Sequence, residues 1–160
     1  MVVATTSGEQ VRRDPPGLWP AHLSNGEADY EDAFTARAPA ASKDSPEHWA
    51  RRVLEGASLP TRLFLRVGWR LLGFRLQRVD AVLGWPVISR SADWVVLQQT
   101  SWLFGVALLM RAADGELTWA TRVSFRSPLA QPVWRIVGAI HRRYAPRALQ
   151  RAVQLASSSC

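Results

Sequence analysis

The chain has 160 residues and is 48% hydrophobic, which suits one domain with a packed core and excludes a disordered chain. A single cysteine, Cys160, excludes a disulfide framework and points to a reducing compartment. Three histidines without paired cysteine spacing exclude the usual zinc fingers, and no apolar run has the length of a spanning helix.

The formal net charge is +7, from 20 basic and 13 acidic residues, and every basic residue except Lys43 is arginine. Such a bias, among many Ala, Val and Leu, follows from GC-rich coding, so the basicity does not favour a nucleic-acid partner. Residues 1–60 carry 6 basic and 9 acidic residues, whereas residues 61–160 carry 14 and 4. An acidic front and a basic back within one domain can neutralise each other.

Residues 1–23 read as a flexible N-terminal segment, with Gly8, Asp14-Pro15-Pro16-Gly17 and Trp19-Pro20 as breakers. Arg12-Arg13 precedes Asp14-Pro15-Pro16 instead of an apolar region, which excludes a twin-arginine export signal and leaves the cytoplasm as the expected compartment. A single domain is expected over residues 24–156, followed by a loose tail over 157–160.

Residues 28–37 read as the first strand, with Tyr30, Asp32, Phe34 and Ala36 on one face. Ser45 as N-cap, Pro46 at the first helical position and Glu47 beside the dipole open a short helix that stops at Gly56. A second helix starts near Leu59-Pro60 and runs to about Gly73. It carries Leu63, Phe64, Val67, Leu71 and Phe74 on one side and Arg62, Arg66 and Arg70 on another.

From Trp85 the period changes to that of strands, over residues 85–90, 94–100, 102–111 and 116–126. Ala113-Asp114-Gly115 is a hairpin signal, because glycine supplies the positive φ of the turn. The strand over 102–111 is apolar on both faces, so it is central, or its second face forms a homodimer contact. A long helix follows from near Gln131-Pro132 to about Ala156, and Pro146 is expected to kink or divide it. The fold class is therefore α+β: a curved antiparallel sheet wrapped on a long C-terminal helix, with two short helices after the first strand.

The final helix has an inward stripe of Trp134, Val137, His141, Tyr144 and Ala148. His141 is either a satisfied interior histidine, the commoner case, or a pocket histidine that acts near neutral pH. Tyr30 and Asp32 can reach it if their face is the concave one, but the neighbouring acids favour an outward Asp32. On the last strand Trp119, Val123 and Phe125 either line a cavity or pack directly on the helix. The Arg62, Arg66 and Arg70 stripe repels itself. It is solvated or pairs with the acids between 27 and 32, unless anionic lipid or nucleic acid offsets it. The sequence lacks G-x-S-x-G, G-x-G-x-x-G and phosphate-loop motifs, and it has no metal-ligand spacing, so no cofactor and no metal are expected.

Four segments together resemble a family: Ala28-Asp-Tyr-Glu-Asp-Ala-Phe34, Ser45-Pro-Glu-His-Trp-Ala-Arg-Arg-Val-Leu54, Gly84-Trp85 and Ile140-His-Arg-Arg-Tyr-Ala-Pro-Arg-Ala-Leu149. They are similar to a family of unknown function common in actinobacteria, within the START/polyketide-cyclase (SRPBCC) superfamily that includes the major birch-pollen allergen. The resemblance covers about residues 27–155 and implies a helix-grip fold with a cavity for a hydrophobic small molecule. This chain departs from the pattern at Gln98-Gln99-Thr100-Ser101-Trp102, where related sequences place acidic and histidine residues.

The expected function is binding of a hydrophobic or amphipathic small molecule, such as a lipid, isoprenoid or polyketide-like compound. Its site would comprise Tyr30, Phe34, Trp119, Val123, Phe125, Trp134, Val137, His141 and Tyr144, with His141 and Tyr30 as polar anchors. One alternative is a cyclase or dehydratase using His141 with Tyr30 or Asp32 as acid and base. The other is a non-catalytic interaction protein with a filled core.

Overall fold

A computed structural model describes residues 11–14, 19–20, 23 and 27–158 of the chain. The elements are β1 (Val11–Asp14), β2 (Tyr30–Arg37), a short 3-10 turn (Ala41–Lys43), α1 (Pro46–Glu55), α2 (Leu59–Leu71), β3 (Ala81–Val82), β4 (Trp85–Arg90), β5 (Trp94–Thr100), β6 (Phe104–Ala113), β7 (Glu116–Phe125) and α3 (Ala130–Ser157). The strands form one antiparallel sheet in the order β1-β2-β7-β6-β5-β4-β3. The class is α+β, a curved sheet closed on one face by the long C-terminal helix, as the sequence implies.

The local signals act as expected at α1. The Ser45 hydroxyl accepts from the His48 amide at 3.2 Å, Pro46 fills the first turn and Gly56 ends the helix. Trp49 is fully buried and donates its indole N–H to the Ala41 carbonyl at 3.0 Å, which ties α1 to the 3-10 turn. The β6–β7 hairpin turns through Asp114 (φ 55°) and Gly115 (φ 74°), two successive positive φ values as in a type I′ turn. β6 begins at Phe104 and not at 102, because the Ser101 hydroxyl accepts from the Leu103 and Phe104 amides and holds a turn there.

The main core lies between the inner face of the sheet and the helices. Trp49, Val53 and Leu54 of α1 and Ala145, Leu149, Ala152 and Val153 of α3 pack with Phe104, Leu117, Trp119 and Val123 of the sheet. Side chains alternate between faces, so Ala33, Val96, Leu109 and Ala120 belong to the opposite side, where Trp19 and Leu23 cover them. β6 is central, between β5 and β7. The apolar second face that would have offered a dimer contact is thus covered by the chain's own N-terminal segment. Arg122 clamps that segment: its guanidinium stacks 4.9 Å from the Trp19 ring, donates to the Leu23 carbonyl and pairs with Glu31 at 3.2 Å.

Five expectations are corrected. Residues 11–14 are not a flexible stretch but form β1, because the free edge of β2 supplies partners from Ala33 to Ala36; most of the rest of 1–23 lies outside the described residues. The short strand β3 was missed; two residues carry no periodicity to read. Of the expected apolar side of α2, only Phe74, beyond its end, is buried in the core; Leu63, Phe64, Val67 and Leu71 are exposed, and the core receives Leu65, Trp69 and the C-cap residue Leu72 instead. Pro146 does not divide α3, which runs unbroken for 28 residues. Pro146 removes the hydrogen bond to the Arg142 carbonyl, but the burial of Ala145, Ala148, Leu149 and Ala152 keeps the second half helical. The tail is not loose through 157 and 158, because the Ser157 and Ser158 hydroxyls donate to the Val153 and Gln154 carbonyls at 3.0 and 2.9 Å. Ser159 and Cys160 lie outside the described residues.

Trp19 is the largest buried side chain of the outer-face cluster, so Trp19→Ala is expected to lower the unfolding free energy by about 3 kcal/mol. Because it also uncovers Leu109, Val96 and Ala120, the variant is expected to self-associate. Urea denaturation and size-exclusion chromatography measure the two effects.

Candidate functional site

The inner core is not filled. A cavity of about 320 Å³ lies where α2 and the first half of α3 cross the sheet. The sheet contributes Trp85, Phe104, Val106, Leu108, Trp119 and Thr121, and α3 contributes Trp134, Val137, Ile140, His141 and Tyr144. The third wall is α2, with Phe64, Leu65, Gly68, Trp69 and Leu71, and its C-cap residue Leu72, while Leu54 and Phe74 close the end.

Bulky rings hold the walls apart. Trp85 meets Trp69 edge-on and packs against Phe74, both at 5.3 Å, while Trp134 meets Phe104 at 5.8 Å. Each ring contacts its neighbours along one edge or face, and no side chain reaches across to fill the centre. The wall is almost wholly apolar, and His141, Thr121 and Tyr144 are its polar residues outside the indoles.

His141 sits among Phe34, Trp119 and Trp134, at ring separations of 6.4, 6.0 and 6.2 Å. Its Nε2 lies 3.3 Å from Asp32 Oδ1, and the Tyr30 hydroxyl donates to the other carboxylate oxygen. Asp32 is buried, so an unpaired carboxylate there would be costly; each oxygen has one partner. The contact with Asp32 at Nε2 fixes the orientation of the imidazole. Asp32 therefore does not point outward with its acidic neighbours. Antiparallel pairing of β2 with β7 sets Tyr30, Asp32 and Phe34 opposite Val123, Thr121 and Trp119, all on the inner face.

Of the nine expected ligand contacts, Trp119, Trp134, Val137, His141 and Tyr144 line the cavity. Tyr30, Phe34, Val123 and Phe125 do not. Tyr30 lies behind the wall, where it packs 5.0 Å from the Trp134 ring and donates to Asp32. Phe34 backs His141, Val123 is fully buried, and Phe125 packs edge-on to Phe104 at 6.1 Å. The α2 wall and the Trp85 and Phe74 end escaped sequence reasoning. Leu65, Trp69 and Leu72 do recur at helical spacing, but the opposite side of α2 is equally apolar and drew the assignment.

Five buried polar atoms of cavity-lining residues have no hydrogen-bond partner among the described residues: the indole nitrogens of Trp85, Trp119 and Trp134 and the hydroxyls of Thr121 and Tyr144. Burial raises the Tyr144 pKa above its ordinary value, opposed by Arg151. The Tyr30 pKa is pushed up to about 12, first by burial and then by its hydrogen bond to Asp32 and the carboxylate charge, with Arg142 opposing.

Among the described residues no group of three His, Cys, Asp or Glu side chains is placed to hold a metal, and no helix is long and apolar enough to cross a membrane. Arg62, Arg66 and Arg70 form no ion pair with the acids between 27 and 32. Of those acids, Asp29 accepts from the Phe125 amide, Glu31 pairs with Arg122 and Asp32 meets His141. The chain matches no protein-family model, no curated protein and no solved structure.

Tyr30 and Tyr144 are the only tyrosines, so absorbance at 295 nm isolates them. Neither is expected to ionise at the ordinary midpoint of 10.0, and Tyr30 is expected near 12. For Tyr30 the folded state keeps a proton that the unfolded chain loses. Its stabilising effect is whole below pH 10.0 and is lost as pH rises towards about 12. Tyr30→Phe should remove that part of the alkaline loss in thermal melts; a titration step of half the amplitude at the ordinary midpoint would contradict the assignment.

Proposed function

We propose that the protein binds a hydrophobic or amphipathic small molecule in the cavity between sheet, α2 and α3, with His141 as its polar anchor. The open, ring-lined cavity carries this reading. Its volume of about 320 Å³ is at the lower end of the range typical of small-molecule sites, and its wall is apolar with few polar groups. Asp32 orients the imidazole, and Tyr30, which does not line the cavity, supports Asp32 and the Trp134 ring from behind.

The unpartnered indole and hydroxyl groups in the wall narrow the ligand class. Indole nitrogens only donate, and buried Trp and Tyr usually find a partner. A ligand that carries carbonyl, ether or hydroxyl oxygens beside its apolar body suits a wall with these few polar groups and His141, which favours an oxygenated lipid, isoprenoid or polyketide-like molecule over a plain hydrocarbon. The resemblance to the START/polyketide-cyclase superfamily supports the same class.

Native mass spectrometry of the purified protein, followed by organic extraction, tests the reading; the expected result is a stoichiometric hydrophobic adduct. Gly68 provides the control. It lines the cavity, and a Cβ built on it meets nothing within 4 Å. Gly68→Phe is expected to keep or raise the melting temperature, since glycine weakens a helix interior by roughly 1 kcal/mol, while occupying the cavity. Loss of the adduct, and of fluorescence from bound anilinonaphthalene sulfonate, is the expected outcome. An adduct unchanged in this variant would place the ligand elsewhere.

The Asp32–His141 pair favours one second reading, an acid–base enzyme of the cyclase or dehydratase kind. Incubating the extracted molecule with the protein distinguishes the two. Loss of one water, or a new isomer, that disappears in His141→Gln would establish catalysis. An unchanged molecule that still binds His141→Gln more weakly would establish binding alone.

A further inference from the structure

We propose that the outward side of α2 docks on an anionic lipid membrane and holds the mouth of the cavity against it. Leu63, Phe64, Val67 and Leu71 project from this side and are between 48 and 78% exposed. Phe64 and Leu71 also line the cavity, so the opening and the apolar side of the helix are one surface. Ile140 of α3, exposed as well as cavity-lining, continues it across the mouth. Unlike scattered surface apolar residues, these form a patch around an opening.

Charge selects the partner. Arg62, Arg66 and Arg70 lie every four residues along one flank of the apolar side and form no ion pair among the described residues, and α2 contains no acidic residue. A two-fold pairing of this surface with a second copy would set two unneutralised arginine stripes near one another. A bilayer rich in anionic headgroups receives both parts at once, the apolar side at the acyl boundary and the guanidinium groups at the phosphates. The proposal goes beyond the ligand-binding reading and does not need the cavity to be occupied.

Cosedimentation with vesicles of phosphatidylcholine, alone and mixed with phosphatidylserine, tests it. The expected result is binding that depends on phosphatidylserine and falls as salt is raised. Leu63→Asp with Val67→Asp, at two exposed positions outside the cavity wall, should abolish binding while near-UV circular dichroism stays unchanged. Arg66→Gln should weaken binding roughly fivefold, whereas Arg37→Gln, which removes the same charge at the far end of β2, should not. Gly68→Phe should bind vesicles as well as the wild type, so a failure of ligand binding and a failure of docking are told apart. No binding to either vesicle, or equal effects of Arg66→Gln and Arg37→Gln, overturns the proposal. So does a dimer in sedimentation equilibrium that Leu63→Asp with Val67→Asp dissolves, which would make a second copy the occupant.

Discussion

The buried Asp32 carboxylate constrains the rest of the fold. It lies on the inner face of β2 with one oxygen toward Tyr30 and the other toward His141 of α3. A slip of one residue in the β2–β7 register would turn Asp32, Tyr30 and Phe34 to the outer face together, and would leave the histidine without its partner. A rotation of α3 that moved His141 would leave one oxygen of the buried carboxylate without a partner, a cost of about 1–3 kcal/mol. One short polar cluster therefore fixes both the strand register and the angular setting of the helix. It lies at the edge of the region where the two separate to form the cavity.

Packing elsewhere in the core is conventional, and the contrast explains why the cavity persists. Toward the second half of α3, small and branched side chains such as Ala145, Leu149, Ala152 and Val153 let the helix settle closely onto α1 and the sheet. Toward its first half the contacts are made by Trp134, His141 and Tyr144 against Trp119 and Phe104, whose rings meet at edges. Rigid rings in edge contact brace the helix off the sheet. Filling that space would need side chains that reach in from α2, where Gly68 presents none.

Much of this was legible in the sequence because it rests on local signals. Ser45-Pro46 and Gly56 bound α1, Asp114-Gly115 makes the hairpin, and alternation along β7 puts Leu117, Trp119 and Val123 inside. His141 and Tyr144 were found by helical spacing alone. What stayed hidden depends on pairing at long range. The inward setting of Asp32 follows from its register opposite Thr121, and β1 exists only because β2 has a free edge. α2 shows the limit of periodicity. Both of its sides are apolar, and hydrophobicity by itself does not say which one meets the core and which meets a surface outside the molecule.

No residue of α2 is fully buried, although α1 and α3 each bury several. Its hold on the domain is Leu65, Trp69 and Leu72, all half-buried, between the Gly56-Ala57-Ser58 connection and Gly73, whose positive φ of 85° turns the chain beneath Trp102. A segment held in this way detaches at a lower free energy than the domain unfolds. The cavity wall and the most weakly held helix are thus the same element. Changes in how α2 is held alter the wall of the cavity, while the melting temperature reports the sheet and α3. The shape of the cavity and thermal stability become separable quantities, adjustable by different residues.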